Sequence, residues 1–412
     1  MSGMKRFLIL DIDGVLIESH GYREACIDTI NDFLVRFGQP YLKIDRTVTD
    51  KFESSGITAE WDMVPLALAA FVDWYSDYIE LKDPENIFTE PLGSEILRDN
   101  KSFLNMLLEK ISLFAGMLSP DVTPINAVYR FLSENNGQGL EHLWKQHFRD
   151  RFFLDTLNPW KSPFFAQLMN RLLGAKLFRE FYGMNAETAC ESYLETKDRL
   201  LISEQYRKLL PDLAGKSIFP AVMTYRPTRY PSFAGNKSSL YFVNTPEGEC
   251  ALQLLKWNGG KMPMIGAGSL CYIEEKYHLR REYYVKPHPF HALASIIISL
   301  CKNEITALET ARQLCEVPPD PKNSPLQEWV AFNDKIELSV FEDSVSGIES
   351  VRNAADILRN WGYTVDVRLC GIHSTDAKDA LLKKAKAELF FDINAALNEF
   401  FDKQGINYER SF

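Results

Sequence analysis

The sequence predicts an α/β protein, a doubly wound parallel sheet whose first strand is followed by a large, mostly α-helical insertion. Three observations predict it. Residues 7–10 (FLIL) are a continuous apolar run that stops abruptly at Asp11-Ile12-Asp13-Gly14, as a buried strand does at its end. From about residue 21 to 206, apolar residues recur mostly at helical spacing. Beyond residue 216, short apolar segments alternate with helix-length ones, the pattern of a parallel sheet with helices on both faces. The 412 residues exceed the usual size of one domain. The reading is therefore a Rossmann-like core made of 1–17 and 206–412, split by a helical cap over 18–205.

The elements follow in order. Within 22–37, Ala25, Ile27, Ile30, Phe33, Leu34 and Phe37 mark one helical face. Residues 62–79, 102–114, 124–132, 163–181 and 186–209 read as further helices, and the aromatic-rich stretches FRDRFF and LFREFYG as core of the helical domain. SIFPAVM (217–223) is a short apolar segment in which Pro220 is an awkward guest for a central strand. Residues 226–244 read as an added hairpin and 246–257 as a helix with Pro and Glu in its first turn. A helix over 292–316 precedes the Pro-rich loop VPPDPKNSP. Strands at 336–341, 364–370 and 389–391 alternate with helices at 346–361, 377–386 and 393–401.

Composition excludes several classes. Forty-six basic against 56 acidic residues give a net charge of −10, which opposes nonspecific binding to nucleic acid but not to a small anion. The seven cysteines contain no Cys-x-x-Cys pair, so reduced thiols fit better than disulfides or a zinc ribbon. The apolar stretches 64–72 and 292–300 are about half the ~20 residues that a membrane span needs. The expectation is a soluble, cytoplasmic protein, with the aromatic-rich insertion as the surface for any homo-oligomer.

Two carboxylates at a strand end, Asp11 and Asp13, repel one another, and bound Mg2+ would relieve that repulsion; taken alone, the pair reads equally as a solvated Asp-x-Asp-Gly turn. In an open parallel sheet, ligands bind beyond the carboxyl ends of the strands. SVFEDSVSG repeats the logic, because a second strand runs into Glu342-Asp343 and a helix opens at Ser344. Thr224 puts a hydroxyl after a third strand, and YYVKPHPF holds Lys286 between aromatic residues and prolines. A cation near these acids would neutralise a substrate phosphate. GGKMPMIGAGS is glycine-rich but lacks the spacing of a P-loop.

FLILDIDGVL, AVMTYRP, VKPHPF and VFEDSVSGI, in that order, resemble the four motifs of the haloacid-dehalogenase-like (HAD) superfamily of phosphohydrolases. The subgroup resembled carries a helical cap inserted just after the first motif. The resemblance implies that Asp11 is the nucleophile that forms an aspartyl-phosphate. It implies that Asp13 exchanges a proton with the leaving oxygen and then with water, its carbonyl facing the metal. Thr224 would hold a phosphoryl oxygen, Lys286 would neutralise charge, and Asp343 with Glu342 would complete the Mg2+ site. The dehalogenase branch lacks an acid at the position of Asp13, so its presence favours phosphate chemistry. A Mg2+-dependent phosphatase of a small phosphorylated metabolite is the implied activity. The alternatives are a phosphomutase that returns the phosphoryl group to substrate and a catalytically silent binding protein.

Two features depart from the subgroup, namely the size of the insertion and the hairpin at 226–244. Within the insertion, KFESSGITAEWD (51–62) reads as a specificity loop in which Lys51, Ser55 and Gly56 contact substrate, or as a plain turn between helices capped by Thr58. Arg226 and Arg229 are candidates for a second anionic group of the substrate, or else for surface salt bridges, while His288 and His291 read as packing residues. The insertion is expected to be a lid hinged close to Asp11 and Thr224, with the loop near Lys51 facing the site; the competing reading is a remote oligomerisation domain.

Overall fold

The computed structural model describes residues 3–79, 88, 90–93, 95–119, 122–145, 148–213, 215, 218–231, 242–331, 333–373 and 375–404. They form two units, Met1–Ser19 with Asp198–Phe412, and His20–Lys197.

The first unit is built on β1 (Met4–Leu10), β4 (Ile218–Met223), β5 (Met264–Ile265), β6 (Lys335–Glu342), β7 (Thr364–Ile372) and β8 (Glu388–Phe390). These six lie in the order β5-β4-β1-β6-β7-β8, every neighbouring pair parallel. The alternation of side chains along β1 divides the core. Phe7 and Ile9 pack with the helices Pro289–Cys301 and Val345–Asn360 on one face. Leu8 and Leu10 pack with Glu204–Leu213 and Ile393–Lys403 on the other. A continuous apolar run is what a strand covered on both faces requires. From β1 the chain builds outward through β4 and β5, then crosses back to β6. The strand order therefore reverses between β1 and β6, where an open α/β sheet forms its ligand crevice.

Pro220 is accommodated by register. Val222 and Thr224 donate their N–H groups toward β5, to Pro263 and Ile265. Position 220 points the same way, but β5 pairs only with Val222 and Met223. The missing donor thus faces a stretch where β5 offers no partner.

The second unit is helical, with Gly21–Arg36, Glu60–Tyr75 and Pro163–Tyr182 around an aromatic core. Phe33 meets Phe164 edge-on at 4.9 Å between centroids, and Phe37 stacks on Phe71 at 5.9 Å. No helix among the described residues is long and apolar enough to cross a membrane.

Several expectations are corrected. Residues 186–209 are not one helix: they hold Tyr193–Thr196, then β3 (Arg199–Leu200), before Glu204–Leu213 begins. β3 pairs antiparallel with β2 (Ile17–Glu18), which ties 198–205 to the α/β unit and moves the boundary from 205 back to 197. Residues 292–316 are two helices, because Lys302 turns left-handed (φ 56°) and Asn303 caps the second one, Glu304–Glu316. The turn after Arg46–Ser54 leads into Glu60–Tyr75 through Ala59, not Thr58, as N-cap. Of the hairpin expected over 226–244, positions 232–241 lie outside the described residues.

Candidate active site

The carboxyl ends of β4, β1 and β6 bring four of the sequence-predicted residues together. Asp11 follows β1 directly and donates its backbone N–H to Phe341 O on β6 at 3.1 Å. Lys286, from the loop before Pro289–Cys301, reaches across the sheet end. Its Nζ donates to Asp11 Oδ1 at 2.9 Å, to Met223 O on β4 at 3.1 Å, and to Glu342 Oε1. The Glu342 side chain is fully buried, and its Oε2 accepts from Ser344 N and Oγ at 3.2 and 2.7 Å. Gly347 makes room for it: a Cβ there would lie 1.8 Å from Glu342 Oε1. Gly14 does the same for Asp343, since its Cβ would lie 2.5 Å from Asp343 Oδ2, and it also adopts φ +74°.

Asp11, Glu342 and Asp343 each offer an oxygen within 4.8 Å of the other two. Burial with like charges close by raises the proton affinity of Asp11 and Asp343. Burial, then the nearby Glu342, pushes Asp11 well above its ordinary value against the pull of Lys286. Burial also raises Asp343, opposed by Lys378, whose Nζ lies 2.5 Å from Asp343 Oδ2. Burial lowers Lys286, but Asp11 and Glu342 outweigh it and hold the ammonium charged.

Asp13 stands apart from that trio. Arg226 Nε donates to both of its oxygens at 3.1 Å, and Nη2 to Oδ1 at 2.7 Å. The same Nη2 donates to Ser19 Oγ at 2.8 Å and to the buried Asp198 Oδ2 at 3.0 Å. Ser19 Oγ also donates to Asp13. Desolvation raises Asp13, but Arg226 and Ser19 prevail and set it below its ordinary value. Arg226 is only 3% exposed, so it does not make the surface salt bridge offered as one reading.

Thr224 is fully buried and its Oγ1 accepts from Arg226 N at 3.1 Å, a bond that uses the oxygen and not the hydroxyl hydrogen. His288 Nδ1 caps its helix by accepting from Phe290 N. His291 Nε2 lies 3.0 Å from Ile265 O. Lys51, Ser55 and Gly56 belong to the helical unit, Lys51 in Arg46–Ser54 and Gly56 at φ +86° in the turn that follows. Sequence reasoning missed Ser19, Asp198 and Lys378. Asp198 was hidden inside a stretch read as helix, and Lys378 is one of several lysines in a charged helix, Asp376–Lys384.

The arrangement sets three carboxylates against one fixed ammonium in a buried pocket, an oxygen-donor set of the kind that hard cations take. No protein-family model matches the chain, and no curated protein shows significant similarity to it. Among solved structures, a crystal structure described as Northeast Structural Genomics Consortium target ZR25 is similar over 97% of this chain and 99% of that one, at 14% identity and a TM-score of 0.57. Phosphatase Tt82 from Thermococcus thioreducens overlaps 93% of this chain and 100% of its own, at 14% identity and a TM-score of 0.39, too low to argue from. The first likeness is one of fold alone.

Proposed function

We propose that the chain is a magnesium-dependent phosphohydrolase of the haloacid-dehalogenase-like superfamily, acting on a small phosphorylated metabolite through an aspartyl-phosphate. One observation carries the reading: Lys286 Nζ bridges Asp11 and Glu342 at the strand ends where the four motifs converge. A merely structural ion pair would not need three carboxylates in one buried pocket, a costly arrangement unless charge is to be bound.

Asp11 is the nucleophile. Its carboxylate oxygen attacks phosphorus, the bond from phosphorus to the substrate oxygen breaks, and that oxygen takes a proton from Asp13. Water then attacks the acyl-phosphate and gives its proton to Asp13, which releases phosphate and restores Asp11. Lys286 opposes the protonation of Asp11 and compensates the phosphoryl charge, while Thr224 donates its hydroxyl hydrogen to a phosphoryl oxygen. Asp11, Glu342 and Asp343 would hold the magnesium ion, since a set of oxygen donors of this kind suits a hard cation. The ion, when bound, supplies positive charge to the phosphoryl oxygens. Contact of Lys51, Ser55 and Gly56 with substrate belongs to the same proposal and is supported by the family resemblance alone.

The test is phosphate release from p-nitrophenyl phosphate, then from a panel of phosphorylated metabolites, with magnesium and with EDTA. Release that stops in chelator and returns with magnesium is expected. Release that persists in chelator, or none from any monoester, overturns the proposal. Isomerisation of a substrate without free phosphate would reassign the same residues to a phosphomutase.

A further inference from the structure

Two lysines reach the carboxylate trio, and they are held in different ways. Lys286 is 8% exposed in its side chain and donates to Asp11, Glu342 and the Met223 carbonyl. Lys378 is 50% exposed and comes from the first turn of Asp376–Lys384, where Thr375 Oγ1 holds its backbone N–H at 3.3 Å. Its ammonium meets Asp343 Oδ2 at 2.5 Å. The neighbouring Asp379 is engaged separately, by His373 Nδ1 at 2.7 Å. A cation coordinated by Asp343 and the Lys378 ion pair therefore compete for one carboxylate. The buried, thrice-anchored Lys286 is costly to displace, whereas a half-solvated lysine on a four-carbon stem leaves readily.

Formal charge points the same way. Asp11, Glu342 and Asp343 against Lys286 and Lys378 leave one net negative charge. A divalent cation and a phosphoryl dianion cancel each other, so the cluster would carry the same net charge before and after loading. Without Lys378, the loaded site would carry one more negative charge, close to the reacting group.

We propose that Lys378 is an exchangeable counter-ion of this metal site: it neutralises Asp343 until a divalent cation takes that carboxylate, and then pairs with the phosphoryl anion. The proposal rests on the metal-dependent reading above and names a positioning residue that none of the four motifs contains.

The probe is Mn2+, titrated into the full chain and followed by the electron paramagnetic resonance of the free ion. At low ionic strength Lys378→Met should bind Mn2+ about tenfold more tightly than wild type, and the gap should narrow as salt is added. The same variant should show a several-fold higher KM for p-nitrophenyl phosphate. Opposite signs for cation and anion are not what loss of a structural strut produces. Lys378→Gln, which keeps a donor without the charge, carries the same expectation and replaces Met if that variant fails to fold. Wild type that binds Mn2+ while both variants bind it equally or more weakly overturns the exchange and leaves the metal reading standing. No Mn2+ binding by any of the three chains at millimolar concentrations overturns the metal reading, and the exchange with it.

Discussion

The guanidinium of Arg226 grips the carboxylate of Asp13 through three hydrogen bonds of 2.7 to 3.1 Å. An acid held this way is kept anionic and is better placed to accept a proton than to give one. If Asp13 protonates the leaving oxygen, Arg226 sets the pH at which it can. The double variant Arg226→Met/Asp198→Asn removes the cation together with the buried charge it compensates, and so avoids stranding Asp198. We expect the alkaline limb of kcat/KM for an alkyl phosphate to move to higher pH. The limb for p-nitrophenyl phosphate, whose leaving group needs little protonation, should move less. An unmoved limb for both substrates would remove Asp13 from the proton transfer.

Asp11→Asn tests the nucleophile. Turnover should fall by about a thousandfold or more, as loss of a covalent nucleophile requires. The fold should be kept, because Lys286 retains Glu342 and the Met223 carbonyl and because Asp11 is a buried acid with a raised proton affinity. Thermal unfolding and single-turnover assays on the same sample separate the two effects. Near-normal turnover by a folded variant refutes the mechanism.

Gly14→Ala should harm the site through backbone and contact together. The residue holds φ +74°, and the new methyl carbon would fall 2.5 Å from Asp343 Oδ2. The conformation alone costs about 1–2 kcal/mol. Denaturant titration should show at least that loss, and Mn2+ affinity should fall because Asp343 must shift. A variant with unchanged metal affinity would show that Asp343 is not a ligand.

His291 gives the α/β unit an acid-sensitive element. Burial first, then Lys286, lowers its pKa from 6.5 to about 3. The folded protein therefore binds fewer protons than the unfolded chain between those values. Stability from this group is complete above about pH 6.5 and is lost as pH falls from there toward 3. By pH 5 the loss is about 2 kcal/mol. Urea unfolding at pH 7 and pH 5 should show a drop for wild type that exceeds the drop for His291→Gln by that amount. Equal drops in the two proteins would contradict it.

The sheet was legible where burial on both faces wrote an uninterrupted apolar run. FLIL, the residues before Glu342 and those after Thr364 announce β1, β6 and β7, and the carboxylates stand out because they end such runs. β5 was not legible, since two paired residues in a glycine-rich stretch leave no periodicity to count. The ribbon of β2 and β3 was hidden for the same reason, and because its partners are far apart in sequence. Arg226 stood beside a motif, yet nothing local reveals that Ser19 and Asp198 meet it from both sides of the insertion. Lys286 was found through its flanking pattern, whereas Lys378 has no such flank and is placed by the turn after β7.

The ribbon has a consequence for how such a chain is assembled. Glu18 pairs with Arg199, and Ser19 and Asp198 share one nitrogen of Arg226, so the two points of departure of the helical unit are next-door neighbours. Residues 20–197 thus occupy the place of a hairpin turn. Closing a loop costs little more when the loop is long than when it is moderate, provided its ends already meet. Joining Ser19 directly to Asp198 would leave these two as a two-residue turn between Glu18 and Arg199, without altering the register of any strand in the sheet. The helical unit is, in genetic terms, a cassette: the chain leaves for it and returns from it at adjacent residues of one antiparallel ribbon.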